Sequence, residues 1–362
     1  MLKRHVLPCA LALLLGLLCA CGTPADSSGP DQSAVSVIGP GDISLPPDEP
    51  VVLYTNPLTG EATEEDISQN RPVAIMLNNL KKALPQHGVA DADMIYEVCA
   101  EGGITRMMAV FQSPDGVGNL GSVRSSRPYY VELAAGLDAI YIHAGGSDGA
   151  YQAIKDCGVF NIDGVNGPYG GTMFWRDAQR RKTAGFEHSL FTSDTRISDL
   201  LGGKLASKRQ VHNEGYSLPL TFADDGTPAA GQTANTVKVK FSHNKTGVFT
   251  YDAEQNAYLV SQHNAPYVDG NTSQQVAVTN VLVVMTDIHV IPKDKEGRLD
   301  VDLVGSGSGW FACGGKYVPI TWSKASPTAP LTYSTADGQP LTLGVGSSYI
   351  NIVDVDDPVT FG

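Results

Sequence analysis

The sequence predicts an α/β (or α+β) N-terminal domain, with a mixed sheet flanked by helices, followed by a mainly antiparallel β C-terminal domain. Three observations predict it. Four apolar runs of buried-strand length recur early in the chain: Val73–Leu77, Asp93–Val98, Arg106–Phe111 and Asp138–His143. Capped helical patterns sit between and after these runs. Beyond about residue 215 the helical patterns stop, and short strands separated by turn residues take over.

The chain opens with Lys3, Arg4 and His5, continues with the apolar run Val6–Leu18, and reaches Leu18-Cys19-Ala20-Cys21-Gly22. A charged start, a short apolar stretch and small residues at the cut have the shape of a secretory signal peptide, and the run is too short to span a bilayer. Leu-x-Ala-Cys is also the lipobox pattern, in which Cys21 receives a diacylglyceryl group and becomes the new N-terminus. The alternative is an ordinary signal peptide cut after Ala20, with Cys21 merely nearby. The composition downstream of Cys21 favours the lipobox. Residues 22–70 are rich in Ser, Pro, Gly and Asp, carry Glu61, Glu64, Glu65 and Asp66, and show no sustained apolar period. Their first part reads as a flexible stalk. One acyl chain binds a membrane only marginally, so a durable anchor needs Cys21 to be multiply acylated. The expected organisation is therefore a signal peptide over 1–20, a tether over 21–50, an α/β domain over 51–215 and a mostly β domain over 220–362.

Within the α/β region, Val51–Tyr54 is an early strand candidate. Pro128–Ala135 has proline at the first helical position and Gly136 as its stop, and Ser147–Cys157 starts on a serine cap and ends at Gly158. Ser193–Leu201 closes with Gly202-Gly203 in the same way. Continuous apolar strands alternating with helices imply a sheet covered on both faces. The β region continues as Val237–Phe241, Gly247–Tyr251, Ala257–Val260, Val276–Met285, Arg298–Leu303, Lys316–Trp322, Pro340–Leu343 and Ser348–Val353.

The 362 residues carry a formal charge of −13, which becomes −15 once residues 1–20, with Lys3 and Arg4, are removed. Such an acidic molecule is not expected to bind nucleic acid, or anionic lipid as a bulk surface, since both are polyanions. Any anion site must be local. After removal of residues 1–20 and lipidation of Cys21, the remaining cysteines are Cys99, Cys157 and Cys313, with no CxxC or Cys/His metal spacing. The expectation is no metal and no cofactor. One disulfide with a spare thiol is open, Cys99 with Cys157 being favoured because both fall in one domain; three buried free thiols are the alternative.

Two strand-to-helix junctions carry the best chemistry. In the first, Gly121-Ser-Val-Arg124-Ser125-Ser126-Arg127-Pro128 precedes a helix whose first free amides belong to Tyr129, Tyr130 and Val131. Exposed amides, the positive end of the helix dipole, two hydroxyls and two guanidinium groups form an anion receptor. Proline drives Arg127 into an extended conformation, so Arg124 and Arg127 can converge on one ligand. In the second, Tyr141-Ile-His143-Ala-Gly145-Gly146-Ser147 runs from a strand through a Gly-rich turn into a helix. The glycines let a ligand approach the backbone, and Ser147 either caps the helix or contacts that ligand. If the strands are parallel, both loops lie at their carboxyl ends, where open α/β sheets place ligands, with His143 at the rim. Arg176, in Phe174-Trp175-Arg176, adds a further cation. The duller reading makes Arg124 and Arg127 ordinary ion-pair partners, Ser126 a plain cap and Gly145-Gly146 an empty turn. The Gly-Gly-Ser loop lacks the full phosphate-loop spacing.

Catalytic signals are sparse. There is no GxSxG elbow, no HExxH helix and no EF-hand spacing. His143 and His188 remain as candidate general bases, because triads are spatial rather than sequential. Arg180-Arg181-Lys182 reads as a solvated basic loop.

Several stretches resemble the YerB-like lipoprotein family of mainly Gram-positive bacteria. These are Leu84-Pro-Gln-His-Gly-Val-Ala-Asp-Ala-Asp-Met-Ile-Tyr-Glu97, the Gly-Ser-Val-Arg-Ser-Ser-Arg-Pro-Tyr-Tyr run around Arg124, His143-Ala-Gly-Gly-Ser147 and His188-Ser-Leu-Phe-Thr192. The stretch from Trp310 to Lys324, and Gly338 onward to Ile350, are similar to that family's C-terminal domain. The resemblance implies two domains and a lipid anchor but no activity, ligand or catalytic residues. One departure is that the family more often has His-Asn where this chain has His188-Ser189.

The sequence thus points to a membrane-anchored extracytoplasmic lipoprotein, not established as an enzyme. It would bind a phosphate- or carboxylate-bearing envelope component through Arg124, Ser125, Ser126, Arg127, His143, Gly145, Gly146, Ser147 and Arg176. Two alternatives stay open: an envelope hydrolase or transferase using a histidine base, and a protein–protein scaffold acting through the β domain. Oligomeric state is not encoded in any of these signals.

Overall fold

Strand Val73–Asn78 is buried at every position and sends alternate side chains into two cores, Val73, Ile75 and Leu77 to one and Ala74 and Met76 to the other. Met94–Cys99 and Thr105–Phe111 do the same, with Met107, Ala109 and Phe111 on the first side and Met108 and Val110 on the second. Such strands need cover on both faces. The computed structural model describes residues 53–362; the signal segment, Cys21 and the 21–50 tether lie outside the described residues.

The first face is covered by a second, antiparallel sheet built on Thr236–Ser242, Lys245–Asp252 and Ala257–Gln262, which contributes Val237, Val239, Phe241, Phe249, Tyr258 and Val260. Ile197, Leu200 and Leu201 of helix Asp194–Gly202 cover it further along. The second face receives helix Pro128–Gly136 through Tyr129, Tyr130, Val131, Leu133 and Ala134. The predicted caps are in place: Pro128 starts its helix, Ser147 Oγ accepts from Ala150 N at 3.2 Å and Ser193 Oγ from Arg196 N at 3.3 Å. Of the early strand candidate, Val51 and Val52 lie outside the described residues, and strand Tyr54–Thr55 pairs with Ala62–Thr63.

The N-terminal domain has the expected mixed sheet with helices and the C-terminal domain is mostly antiparallel, yet the two share one 11-stranded sheet. Its order runs from Gln232–Thr233 to Lys316–Lys324, which also pairs with Thr332–Thr335, then through Gly305–Cys313 and Asn280–Thr286 to Ser348–Asp354, and on to Met94–Cys99, Thr105–Phe111, Val73–Asn78, Ile140–His143 and Asn161–Asp163. The seam is the last long strand. Ser348–Asp354 runs parallel to Asn280–Thr286 on one side and to Met94–Cys99 on the other.

Polar groups also cross the seam. Glu97 is 1% and Lys245 3% exposed, and Lys245 Nζ stands 2.9 Å from Glu97 Oε1. That oxygen also accepts from Asn79 Nδ2 at 2.8 Å and Thr105 Oγ1 at 2.5 Å, while the Tyr349 hydroxyl donates to Oε2 and Lys245 donates to Gln262 Oε1. Four donors around one buried carboxylate are what a charge taken out of water requires.

Of the two cysteine arrangements the sequence leaves open, the structure has the free thiols: Cys99, Cys157 and Cys313 are all unbridged, Cys99 and Cys313 buried and Cys157 half-buried. The reason is topological. Cys99 packs into the core on the first face of the sheet, where its Sγ donates to the Phe241 carbonyl at 2.8 Å, and Cys157 ends helix Asp148–Asp156 against the second.

Candidate functional site

The two junctions meet. Ser126 N donates to the Gly145 carbonyl at 2.9 Å and Ala144 N to the Arg124 carbonyl at 3.0 Å, so the Arg124 loop runs beside the glycine turn, joined to it by an isolated parallel bridge between Ser126 and Gly146. Strands Val73–Asn78, Ile140–His143 and Asn161–Asp163 are mutually parallel, and the turn after His143 and the loop after Asp163 leave their carboxyl ends. Strand Asn119–Gly121, which feeds the first junction, instead belongs to a small three-stranded sheet with Leu190–Ser193.

Between these loops lies a cavity of about 410 Å³, lined by Arg124, Ser125, Gly145, Gly146, Arg176 and residues outside the expected binding set: Val165, Asn166, Phe186 and Glu187. Arg124 reaches it from the first junction and Arg176 from strand Trp175–Arg176. Arg124 Nη2 is 2.8 Å from Glu187 Oε2, and that carboxylate is 65% exposed. Arg176 Nη1 donates to the Phe186 carbonyl at 2.7 Å, with its guanidinium 3.8 Å from the Phe186 ring centroid. Burial, Arg181 and Arg124 together hold Arg176 below its usual basicity.

The glycine turn is held from below by Asp163. Its Oδ1 accepts from Gly145 N and Val165 N, each at 2.8 Å, and its Oδ2 from the Tyr151 hydroxyl at 2.7 Å. Burial raises this carboxyl, but those donors outweigh burial and keep it below the usual carboxylate range. Gly145 takes φ +72°, a conformation glycine adopts at no steric cost.

Four expected participants point elsewhere. Arg127 is extended as the following proline demands, at φ −133° and ψ 157°, but its guanidinium is turned away and locked on Glu101 through Nε at 3.1 Å and through Nη2. Arg106 shares that carboxylate at 2.7 Å; although burial opposes them, the two arginines hold Glu101 below its ordinary range. Ser126 is fully buried, its Oγ 2.7 Å from the Tyr141 hydroxyl. The amides expected after Pro128 do not open on the cavity: Tyr130 N and Val131 N both donate to the Arg127 carbonyl, and Tyr129, Tyr130 and Val131 are buried. Ser147 is spent as the helix cap.

The two histidines are structural in form. His143 is fully buried, not at the rim, and stacks on Tyr141 at 5.1 Å between centroids. Its Nδ1 donates to the Gly145 carbonyl at 2.9 Å and its Nε2 lies 3.1 Å from the Asn161 side-chain oxygen. His188 Nδ1 sits 2.7 Å from Asn78 Nδ2, which donates to it, and burial followed by the Arg124 charge pushes the imidazole below its usual pKa. Neither ring lines the cavity.

Among the described residues no group of three or more His, Cys, Asp or Glu side chains is placed to hold a metal, and no helix is long and apolar enough to cross a membrane. The C-terminal domain bears a larger groove of about 540 Å³ between Pro228, Phe311, Val318 and Leu341, but it is mainly apolar and gathers no cations.

Residues 58–208 match a family described as the N-terminal domain of a protein of unknown function (DUF3048), and residues 237–350 match the corresponding C-terminal domain. A Bacillus subtilis (strain 168) protein named "Putative lipoprotein YerB" is 33% identical over 311 residues, which is 83% of this chain and 86% of that protein. A crystal structure of YerB protein from Bacillus subtilis superposes with a TM-score of 0.72 at 30% identity, covering 85% of this chain and 99% of the solved one. By its two matched domains and by its likeness to YerB in sequence and in fold, this chain belongs to the DUF3048 family of YerB-like lipoproteins.

Proposed function

We propose that this lipoprotein is held outside the cytoplasm by an acylated Cys21 and binds a small anionic group of an envelope component in the Arg124–Arg176 cavity. The observation that carries the reading is the pairing of two guanidinium groups in one cavity on a molecule of net charge −13. Arginine presents a planar fork that fits phosphate or carboxylate oxygens. Ser125 and Asn166 add side chains able to hydrogen-bond a sugar or phosphate oxygen, and the 56% exposed Val165 and 55% exposed Phe186 give the mouth an apolar edge. Glu187 occupies Arg124 where a ligand anion would sit. Arg127 drops out of the binding set and acts with Arg106 and Glu101 as support beneath the loop.

The test is isothermal titration with inorganic phosphate and with phosphorylated and carboxylated sugars, using wild type, Arg124→Ala, Arg176→Ala and Arg127→Ala. Loss of one charge-assisted contact costs about 1.5–3 kcal/mol, or about 10- to 100-fold in affinity, for the first two variants. Equal affinity of wild type and both cavity variants would defeat the proposal. Stronger loss on Arg127→Ala in a protein that melts normally would move the site.

A further inference from the structure

The cavity is one end of a wider cationic surface. Lys81, Lys82, Arg124, Arg176, Arg180, Arg181 and Lys182 gather there on an acidic protein, with Asp177 and Glu187 as the acids in the same segments. Several contacts place them together. The Arg180 guanidinium donates to the Ala83 and Pro85 carbonyls, tying helix Ala178–Thr183 to the Lys81–Ala83 turn. Lys82 Nζ is 3.9 Å from the Cβ position of Gly185, and Arg181 lies 5.4 Å from the same Phe186 ring that Arg176 covers. Asp177 is largely consumed by its own helix, accepting from Arg180 N at 2.6 Å, whereas Lys81, Lys82, Arg181 and Lys182 are exposed.

We infer that this surface is a docking track for a linear phosphodiester polymer of small polar units, one of whose phosphates seats between Arg124 and Arg176. The inference rests on the anion reading of the cavity and extends it from one group to a repeating ligand. Regularly spaced negative charge is what a run of cations outside a cavity can recognise and a lone phosphate cannot. A bilayer surface fits less well. It would need a broad exposed apolar face to insert; the mouth offers only Val165 and Phe186, Phe186 is faced by two guanidinium groups, and the deepest cations line a recess. Single-stranded nucleic acid fits less well for a related reason: base stacking needs uncovered aromatic faces, and Trp175 is covered by Arg196 at 4.8 Å.

The experiment measures binding of long-chain inorganic polyphosphate, orthophosphate, phosphatidylglycerol vesicles and single-stranded DNA across a salt series. It compares wild type with a variant carrying Lys81→Ala, Lys82→Ala, Arg181→Ala and Lys182→Ala. These four side chains are exposed, and thermal melting checks that the fold is kept. The expected result is polyphosphate affinity weaker by about 1,000-fold in the variant and a salt slope shallower by about 3, at about 0.7 per contact for a flexible strand. Orthophosphate affinity stays unchanged. Polyphosphate bound no more tightly than orthophosphate, or bound equally by both proteins, would overturn the track and leave the cavity standing. Tighter binding of vesicles or DNA than of polyphosphate would also overturn it. Polyphosphate binding with the expected slope in a protein blind to orthophosphate would support the track and sink the single-anion reading.

Discussion

Replacing Glu97 with leucine removes the acceptor at the centre of the seam between the domains. Lys245 would then keep its ammonium in a core where it is 3% exposed, with Gln262 Oε1 as its remaining acceptor. Asn79, Thr105 and the Tyr349 hydroxyl would each lose a partner as well. Breaking a buried ion pair by deleting one member costs about 3–5 kcal/mol, against a total of about 5–15 kcal/mol for a typical fold. At a urea dependence of about 3 kcal/mol per molar, the midpoint should fall by about 1–2 M. Removing both charges, as Glu97→Leu with Lys245→Met, should recover most of that loss, because the stranded charge is what costs. The assay is urea denaturation followed by tryptophan fluorescence and far-ultraviolet circular dichroism. Both probes should report one transition, since Ser348–Asp354 pairs with strands of both domains. A single variant within about 0.5 kcal/mol of wild type would refute the reasoning, as would a double variant no better than the single one.

Three further outcomes are expected. Glu187→Gln should tighten phosphate binding by up to about 5-fold, because the exposed pair it forms with Arg124 competes with ligand for about 1 kcal/mol or less, and high salt should erase the gain; isothermal titration showing weaker binding would contradict Glu187 as a competitor. Thiol titration of protein beginning after Cys21 should find Cys157 reactive in the folded state and Cys99 and Cys313 only after unfolding, since burial pushes their thiols up to about 12 and about 11; a disulfide-linked peptide in a non-reducing digest would contradict the placement of Cys99 and Cys157 on opposite faces of the sheet. His188 has a folded pKa below its unfolded value of 6.5, so the unfolded chain binds the extra proton and wild type should lose stability as pH falls below about 6.5. In pH-resolved melting curves that loss should be smaller in His188→Gln, where His263, shifted the same way, still contributes. A parallel loss in both proteins would assign the acid lability to other groups.

What was legible in the sequence is what local rules encode. The continuous apolar run Val73–Leu77, the proline at Pro128 and the caps at Ser147 and Ser193 each act within a few residues, and each element formed. The extended backbone at Arg127 comes from Pro128 in the same way, yet its partner Glu101 is 26 residues away and nothing local marks that pairing. His143 fails as a rim residue for a related reason. The last residue of a strand can face a core or a loop, and here stacking on Tyr141 together with the Gly145 carbonyl drew it inward. The shared sheet was hidden by distance: Tyr349 meets Glu97 across 252 residues, and a strand's own pattern does not name the edge that it will join. Arg124, Ser125, Arg176 and the glycine turn did come together, but only the glycine turn leaves the carboxyl end of a parallel strand; backbone bonds from Ser126 and Ala144 tie the Arg124 loop to it, and Arg176 arrives from the small sheet with Leu190–Ser193.

The most direct test of the anion cavity is an arginine Nε–Hε nuclear magnetic resonance titration with inorganic phosphate, with signals assigned by single Arg→Lys substitutions. An anion seated in the cavity predicts saturable shifts for Arg124 and Arg176 at a common midpoint, while Arg127, held on Glu101, stays still. Shifts centred on Arg127 and Arg106, or none at Arg124 and Arg176 as phosphate saturates the protein elsewhere, would contradict it.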